Sequence, residues 1–279
     1  MRRFLLCTDL DRTLIPNGPD PEWPAAKALF RKLAAREEIC LAYVTGRHRA
    51  LIEDAIAEFD LPSPDFAIAD VGASIYQVCT DDWRPWNHWE EHIAPDWRGL
   101  RCADLKNLLR GITELQPQER EKQAPFKLSY YVALDENPRT LIARMHERLA
   151  REGIRANLIW SIDELAHIGL LDVLPQSAGK LLAIRFMMAR QHFSVQDTLF
   201  AGDSGNDLDV LLSDIPAVLV ANADGEIKKQ VAKTEPKALY IATGGYLGMN
   251  GNYSAGILEG VAHFWPEADA WLREFEQKG

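Results

Sequence analysis

Cysteine is scarce in this chain, and long apolar runs are missing. Among 279 residues there are four cysteines, Cys7, Cys40, Cys79 and Cys102, scattered and without a C-x-x-C pair. Four such thiols make no disulfide scaffold and are expected to be reduced and mostly buried. In "MRRFLLCTDLDRT" the apolar stretch gives way to Asp9 after a few residues. That is too short for a signal-peptide h-region or a membrane span, so a cytoplasmic location is expected. Positive charge is also in deficit, with 31 Lys+Arg against 41 Asp+Glu and a net charge of −10. The balance argues against nucleic acid or an anionic membrane surface as partner. No internal repeat or low-complexity tract stands out. What is present is ordinary for a globular chain with a real core, 47% hydrophobic and 26% charged, at a length that suggests about two domains.

Two rhythms divide the chain. Phe4-Leu5-Leu6-Cys7, "ICLAYVTGR" (39–47) and "DFAIADVGASIYQV" alternate with amphipathic helical segments. Strand, helix, strand, helix, strand is the pattern of a parallel sheet covered by helices. Near residue 81 the composition shifts to a Trp-rich stretch, then a helix, the alternating strand "FKLSYYVAL", a second helix and "IRANLIW". At "GLLDVLPQSAGKLLAIRF" the first rhythm resumes. The expected fold is α/β. A doubly wound, Rossmann-like parallel-sheet core covers 1–83 and 170–279, and an α+β cap is inserted at 84–169.

Ligands of open parallel sheets collect at the carboxyl ends of the strands. Strand one ends in Asp9 and Asp11, strand two in Thr45 and Gly46. Lys180 opens a later helix, and "TLFAGD" ends in Asp203, with Asn206 and Asp207 just beyond. Side chains two apart in a strand share a face, so Asp9 and Asp11 repel each other unless a cation or a shared proton holds them. Carboxylates, a hydroxyl, a glycine and a lysine at one crevice suit a divalent cation holding a phosphate. Asp9 and Asp203 can ligate Mg²⁺, while Thr45, the Gly46 amide and Lys180 can face phosphoryl oxygens. A carboxylate nucleophile with an acid/base one residue away fits Asp9 and Asp11.

In order, "DLDRT", "VTGR", a later Lys and "GDSGND" resemble the haloacid dehalogenase-like phosphatases. "DVGASIY", "FKLSYYV", "VLPQSAGK" and "SAGILEGVAHF" extend the likeness over nearly the whole chain to the sucrose-phosphate phosphatase family. The resemblance implies Mg²⁺-dependent hydrolysis of sucrose 6-phosphate through an aspartyl-phosphate on Asp9, with Asp11 as acid/base. It implies Asp9, the Asp11 carbonyl and Asp203 as metal ligands, supported by Asn206 and Asp207, and Thr45, Gly46 and Lys180 as the phosphate site. Lys127 matches a lysine of the family's sugar-facing segment, and Asp172 and Gln176 lie where substrate contacts are expected. A longer loop before "AGILEG", Tyr253 where relatives often carry His or Arg, and "HIGLLDVLP" in place of a more polar lead-in depart from the pattern. They leave mannosylfructose phosphate and glucosylglycerol phosphate as alternative substrates. Association with the glycosyltransferase that makes the substrate is a further expectation, and a non-catalytic sugar-phosphate sensor is the reading from another class.

Plainer readings stand beside these. Thr45 suits an N-cap. "HWEEH" puts His88 and His92 at zinc-chelating spacing but lacks the metalloprotease order. The tryptophans at 83–97 are read as packing between units before sugar stacking. The Gly/Asn segment 244–252 reads as a mobile surface loop.

Overall fold

The computed structural model describes residues 2–79, 82–163, 166–234 and 236–277. In chain order, β1 (Phe4–Thr8), α1 (Ala26–Ala34), β2 (Ile39–Val44), α2 (Arg49–Glu58) and β3 (Phe66–Ala69) come first. β4 (Ser74–Cys79) and β5 (Asp82–Pro85) then double back. α3 (Asn87–Ile93), α4 (Cys102–Leu108), β6 (Gln116–Pro117), β7 (Leu128–Val132), α5 (Pro138–Arg151), β8 (Ala156–Asp163) and β9 (Ile168–Pro175) follow. The last stretch is α6 (Lys180–Gln191), β10 (Thr198–Gly202), α7 (Leu208–Leu211), β11 (Ala217–Leu219), α8 (Gly225–Thr234), β12 (Leu239–Ile241), α9 (Ser254–Phe264) and α10 (Pro266–Gln277).

The strands form two sheets. One runs β12-β11-β10-β1-β2-β3-β4-β5, parallel from β12 through β3 and antiparallel at β4 and β5. Its central strands β1, β2 and β10 are buried at every position, because helices cover both faces and no alternation survives. α1, α9 and α10 pack together, as do α6 and α7. The other sheet, β6-β7-β9-β8, is antiparallel. The fold is therefore the doubly wound α/β core with an α+β cap.

The expected boundaries at 84 and 170 both fall inside strands. β5 belongs to the core sheet, and β9 pairs along its whole length with β8. "GLLDVLP" reads like a returning core strand because Leu171, Val173 and Leu174 are buried. Gly169, Leu171 and Val173 are buried while Leu170 and Asp172 between them are not, which is the alternation of a sheet covered on one face.

Aromatic packing joins the two units. Trp86 meets Phe66 edge-on at 5.2 Å, Trp89 lies 5.0 Å from Phe186, and the Trp89 indole N–H donates to the Gly72 carbonyl (3.1 Å). Trp89 and Trp97 are fully buried, so these rings pack protein against protein. His92 stacks on Trp89, and among the described residues no histidine joins a metal-capable cluster. The segment 244–252, expected to be mobile, is fastened. Buried Glu259 of "AGILEG" accepts from the Thr243 and Gly244 amides and the Tyr240 hydroxyl, and Ala221 N donates to Gly251 O.

Candidate active site

The chain runs β1, β2, β3 in one direction across the sheet and β10, β11, β12 in the other, so its order reverses between β1 and β10. Ligand crevices form at such a reversal. Thr8 pairs with Ala201, and Asp9 and Asp203 therefore leave neighbouring strand ends. Asp207 closes the turn after β10, its Oδ2 accepting from the amides of Asp203 (3.1 Å) and Ser204 (3.2 Å). A Cβ at Gly202 would stand 2.7 Å from that oxygen, so only glycine lets the turn close. One carboxylate oxygen from each of Asp9, Asp203 and Asp207 lies within 4.8 Å of the others, and all three residues are buried.

Lys180, the first residue of α6, reaches into this cluster and is itself buried. Its Nζ is 2.7 Å from Asp207 Oδ1 and 3.2 Å from Asp9 Oδ1, and it donates to Asn206 Oδ1 (2.8 Å). Burial works against the Lys180 charge, but Asp207 and Asp9 outweigh it and hold the pKa above its ordinary value. Burial pushes Asp9 well up, Lys180 opposes the push, and Asp207, Asp203 and Asp11 add to it. Burial and then Asp207 raise Asp203 from 3.8 to about 7. One ammonium does not fully compensate three buried carboxylates.

Asp11 is held apart from this cluster. Residues 9 and 10 leave the strand, and Arg12 turns with φ +59°. Arg47 grips the Asp11 carboxylate twice, Nε to Oδ2 at 2.9 Å and Nη2 to Oδ1 at 2.7 Å, and Asn17 donates to Oδ1 (2.7 Å). Burial alone would raise Asp11, yet Arg47 and Asn17 bring its pKa below the ordinary value. The repulsion between the two acids is met by two separate cations, Lys180 for Asp9 and Arg47 for Asp11.

Thr45 is buried at the end of β2, and its hydroxyl accepts from the Arg47 amide (3.2 Å), while the N-cap of α2 is His48. The Gly46 carbonyl accepts from Lys127 Nζ of the cap (3.4 Å). Lys127 is buried, 3.9 Å from Asp172 Oδ1, and Asp172 accepts from the Ser129 hydroxyl. Strand β8 packs on the turn at Gly205–Asp207, and Asn157 donates to the Ala178 carbonyl (2.9 Å). The cap thus sits directly over the strand ends. Gln176 does not join this group; it is exposed, and its amide donates to Arg155 O. Tyr253 is buried with its hydroxyl donating to Asp20 O (3.2 Å), and it ties the C-terminal half to the segment after β1.

Several polar residues of the site carried no expectation. Thr13 donates to Asp203 Oδ1 (3.2 Å), and Arg12 Nε lies 3.6 Å from Asp203 Oδ2. Both stand inside "DLDRT", as Arg47 stands inside "VTGR", so motif membership was the available signal. Asp70, buried at the end of β3, likewise opens the quoted segment "DVGASIY".

The donor set fits a hard divalent cation. Its ligating atoms are carboxylate oxygens, and buried Asp203 Oδ2 accepts no hydrogen bond. Among the described residues, no helix is long and apolar enough to cross a membrane.

A parallel sheet with an inserted cap and acids gathered at its strand ends is the arrangement found here, and a relative 52% identical over 97% of this chain places it among the haloacid dehalogenase-like hydrolases. More narrowly, it belongs to the family of sucrose-6F-phosphate phosphohydrolase, which matches residues 2–265. A protein of Nitrosococcus oceani whose name goes no further than HAD-like hydrolase is 52% identical over 275 residues, 97% of this chain and 74% of that one. Sucrose-phosphatase 1 of Nicotiana tabacum is 28% identical over 277 residues, 94% of this chain but 59% of the tobacco protein. The chain thus spans about three fifths of that plant relative. The solved sucrose-phosphatase of Synechocystis sp. PCC6803, in complex with sucrose and phosphate, superposes with a TM-score of 0.78 at 28% identity, covering 95% of this chain and 98% of that one.

Proposed function

We propose that this chain hydrolyses sucrose 6-phosphate to sucrose and phosphate, with Mg²⁺ held by Asp9, Asp203 and Asp207. The observation that carries the reading is the meeting of Asp9 with Lys180 and the two later acids at one strand-end crevice. Mg²⁺ at these acids would supply the positive charge that relieves repulsion between carboxylates and a phosphate dianion.

In the first half-reaction an oxygen of Asp9 attacks phosphorus, and the bond from phosphorus to the sugar oxygen breaks. Asp11 gives that oxygen a proton, and the sugar leaves. In the second, Asp11 takes a proton from water, which attacks the aspartyl-phosphate and frees Asp9 and phosphate. Held ionised by Arg47 and Asn17, Asp11 is in the form the second half-reaction needs. The first requires it to carry a proton, so the Arg47 grip has to loosen when substrate enters. Thr45, the Gly46 amide and Lys180 are the phosphate donors of this scheme. Residues from about 86 to 175 act as the cap, excluding water from the first step and selecting the sugar through Lys127 and Asp172.

The cytosol is the compartment this reading implies, supported by four free cysteines. Association with the glycosyltransferase that makes the substrate belongs to the same reading, and co-purification of the two tests it. The main test is phosphate release from a panel of glycosyl phosphates with and without Mg²⁺. Sucrose 6-phosphate is expected to give the highest kcat/KM. A higher value for mannosylfructose phosphate or glucosylglycerol phosphate overturns the substrate, and no release from any of them favours the sensor.

A further inference from the structure

Asp70 is a buried acid that the scheme above does not use. It is 3% exposed and stands at the carboxyl end of β3, the same sheet edge as Asp9, Thr45 and Asp203. Its backbone is left-handed, φ +55°, and so is that of Val71, φ +58°. A β-branched residue rarely adopts that region, and such strain persists only where the surroundings enforce it.

The surroundings do enforce it. Asp70 N donates to Arg47 O (3.0 Å) and Val71 N to Thr45 O (3.0 Å), which fixes the turn to the phosphate loop. On its other side a Cβ at Gly72 would lie 2.3 Å from the Gly179 carbonyl carbon and 2.7 Å from Lys180 N. The turn at 70–72 is therefore wedged between the Thr45 loop and the start of the Lys180 helix.

The Asp70 side chain is half satisfied. Its Oδ2 accepts from the Ser74 hydroxyl (2.8 Å), while its Oδ1 is buried and takes no hydrogen bond from the protein. Burial raises its pKa, and Lys127 of the cap, Ser74 and His48 oppose that rise, so cap and core charges both bear on it. Lys127 touches the same phosphate loop through Gly46 O and pairs with Asp172. Asp70 is thus a core acid on which the charges of the cap's Lys127 and Asp172 both act. A buried carboxylate oxygen without a donor is costly, and a hydroxyl is the donor such an oxygen takes best.

We propose that Asp70 accepts a hydrogen bond from a hydroxyl of the phosphorylated sugar, making the core as well as the cap a determinant of sugar selectivity. This inference rests on the proposed glycosyl-phosphate hydrolysis. With it, a carboxylate from each unit, Asp70 of the core and Asp172 of the cap, meets the sugar, while the phosphoryl group meets Thr45 and Lys180. Closing the cap would then complete a recognition set that neither unit holds alone.

The test compares kcat/KM for sucrose 6-phosphate with kcat/KM for p-nitrophenyl phosphate, which has no sugar hydroxyls, in wild type and in Asp70→Gly. Gly removes both carboxylate oxygens and adopts the left-handed backbone freely, whereas Asn would leave an amide oxygen able to accept the same bond. The sugar-to-aryl ratio should fall roughly 10- to 100-fold, the usual worth of a hydrogen bond to a charged acceptor, and mainly through KM. Ser74→Ala, which only loosens Asp70, should lower the ratio less and in the same direction. An unchanged ratio in Asp70→Gly, with both substrates equally affected or neither, means a structural acid or one satisfied by solvent, and overturns the proposal. Wild type active on the aryl phosphate but inert toward every glycosyl phosphate overturns the functional reading and this inference together.

Discussion

The strand-end edge of the core sheet and the surface of the cap carry charge in opposite ways. At the core edge Asp9, Lys180, Asp203 and Asp207 are each at most 4% exposed, and each leans on the others. On the cap, pairs such as Arg151–Glu147 stand one turn apart on α5 with most of both side chains in water. In the first region low dielectric makes every charge depend on its neighbours, and in the second solvent screens each pair almost to nothing. Only the first arrangement stores the electrostatic tension that a phosphoryl transfer can use. The cap's contribution is made where it touches the core, through Lys127, Ser129, Asp172 and Asn157.

The sharpest way to break this contrast is Asp9→Asn. Turnover should vanish while the fold stays, because the amide replaces an acid that burial already disfavours as an anion. Phosphate release together with circular dichroism checks it, and full Mg²⁺-dependent activity would falsify the mechanism. Next is Lys180→Met, which strands buried acids without their cation. It should cost about 3–5 kcal/mol in urea unfolding, with part of the loss recovered in acid as the carboxylates take up protons. A cost no larger than that of a surface pair would erase the distinction between the two regions.

Arg47→Ala should lower kcat by about 100-fold, the scale on which a misplaced acid/base acts, with Arg47→Lys falling between it and wild type. If kcat holds and only KM moves, the grip on Asp11 serves binding and not the proton transfers.

A smaller effect is the pH dependence of stability without a divalent cation. Asp203 titrates at 3.8 ordinarily and about 7 in the fold. Across that window the folded state keeps a proton that the unfolded chain has released. Stability contributed by this group therefore falls as pH rises from 3.8 to about 7. The Tm in chelator should drop over this range, and Mg²⁺ at pH 7 should restore it. A Tm that is flat with pH and indifferent to Mg²⁺ removes the cation from the site. The smallest change is expected for Glu147→Ala in the cap, within about 0.5 kcal/mol, and a large loss there would mean that α5 carries more than screened charge.

Much of this was legible in the chain. The buried strands, their order and the residues at their ends follow from apolar runs that stop at polar motifs. The reading failed at β9, because Leu171 and Val173 look alike whether a strand is buried on both faces or on one. It also failed for the segment 244–252, whose fastening depends on Glu259, a residue of the following helix with no local mark of that role. Arg47 and Asp70 stand inside the motifs "VTGR" and "DVGASIY", yet motif membership does not give their roles. Each is one polar residue after a strand until its partner arrives from elsewhere.

By itself the sequence determined which elements form and which side chains stand at the carboxyl edge, since periodicity and turn residues act over a few positions. Only the tertiary structure decided which cation answers which acid. Lys180 reaches Asp9 and Arg47 reaches Asp11 because parallel crossovers carry their strands and helices to one edge. Whether two charges meet is settled by distance and burial in space, and neither is encoded by spacing along the chain.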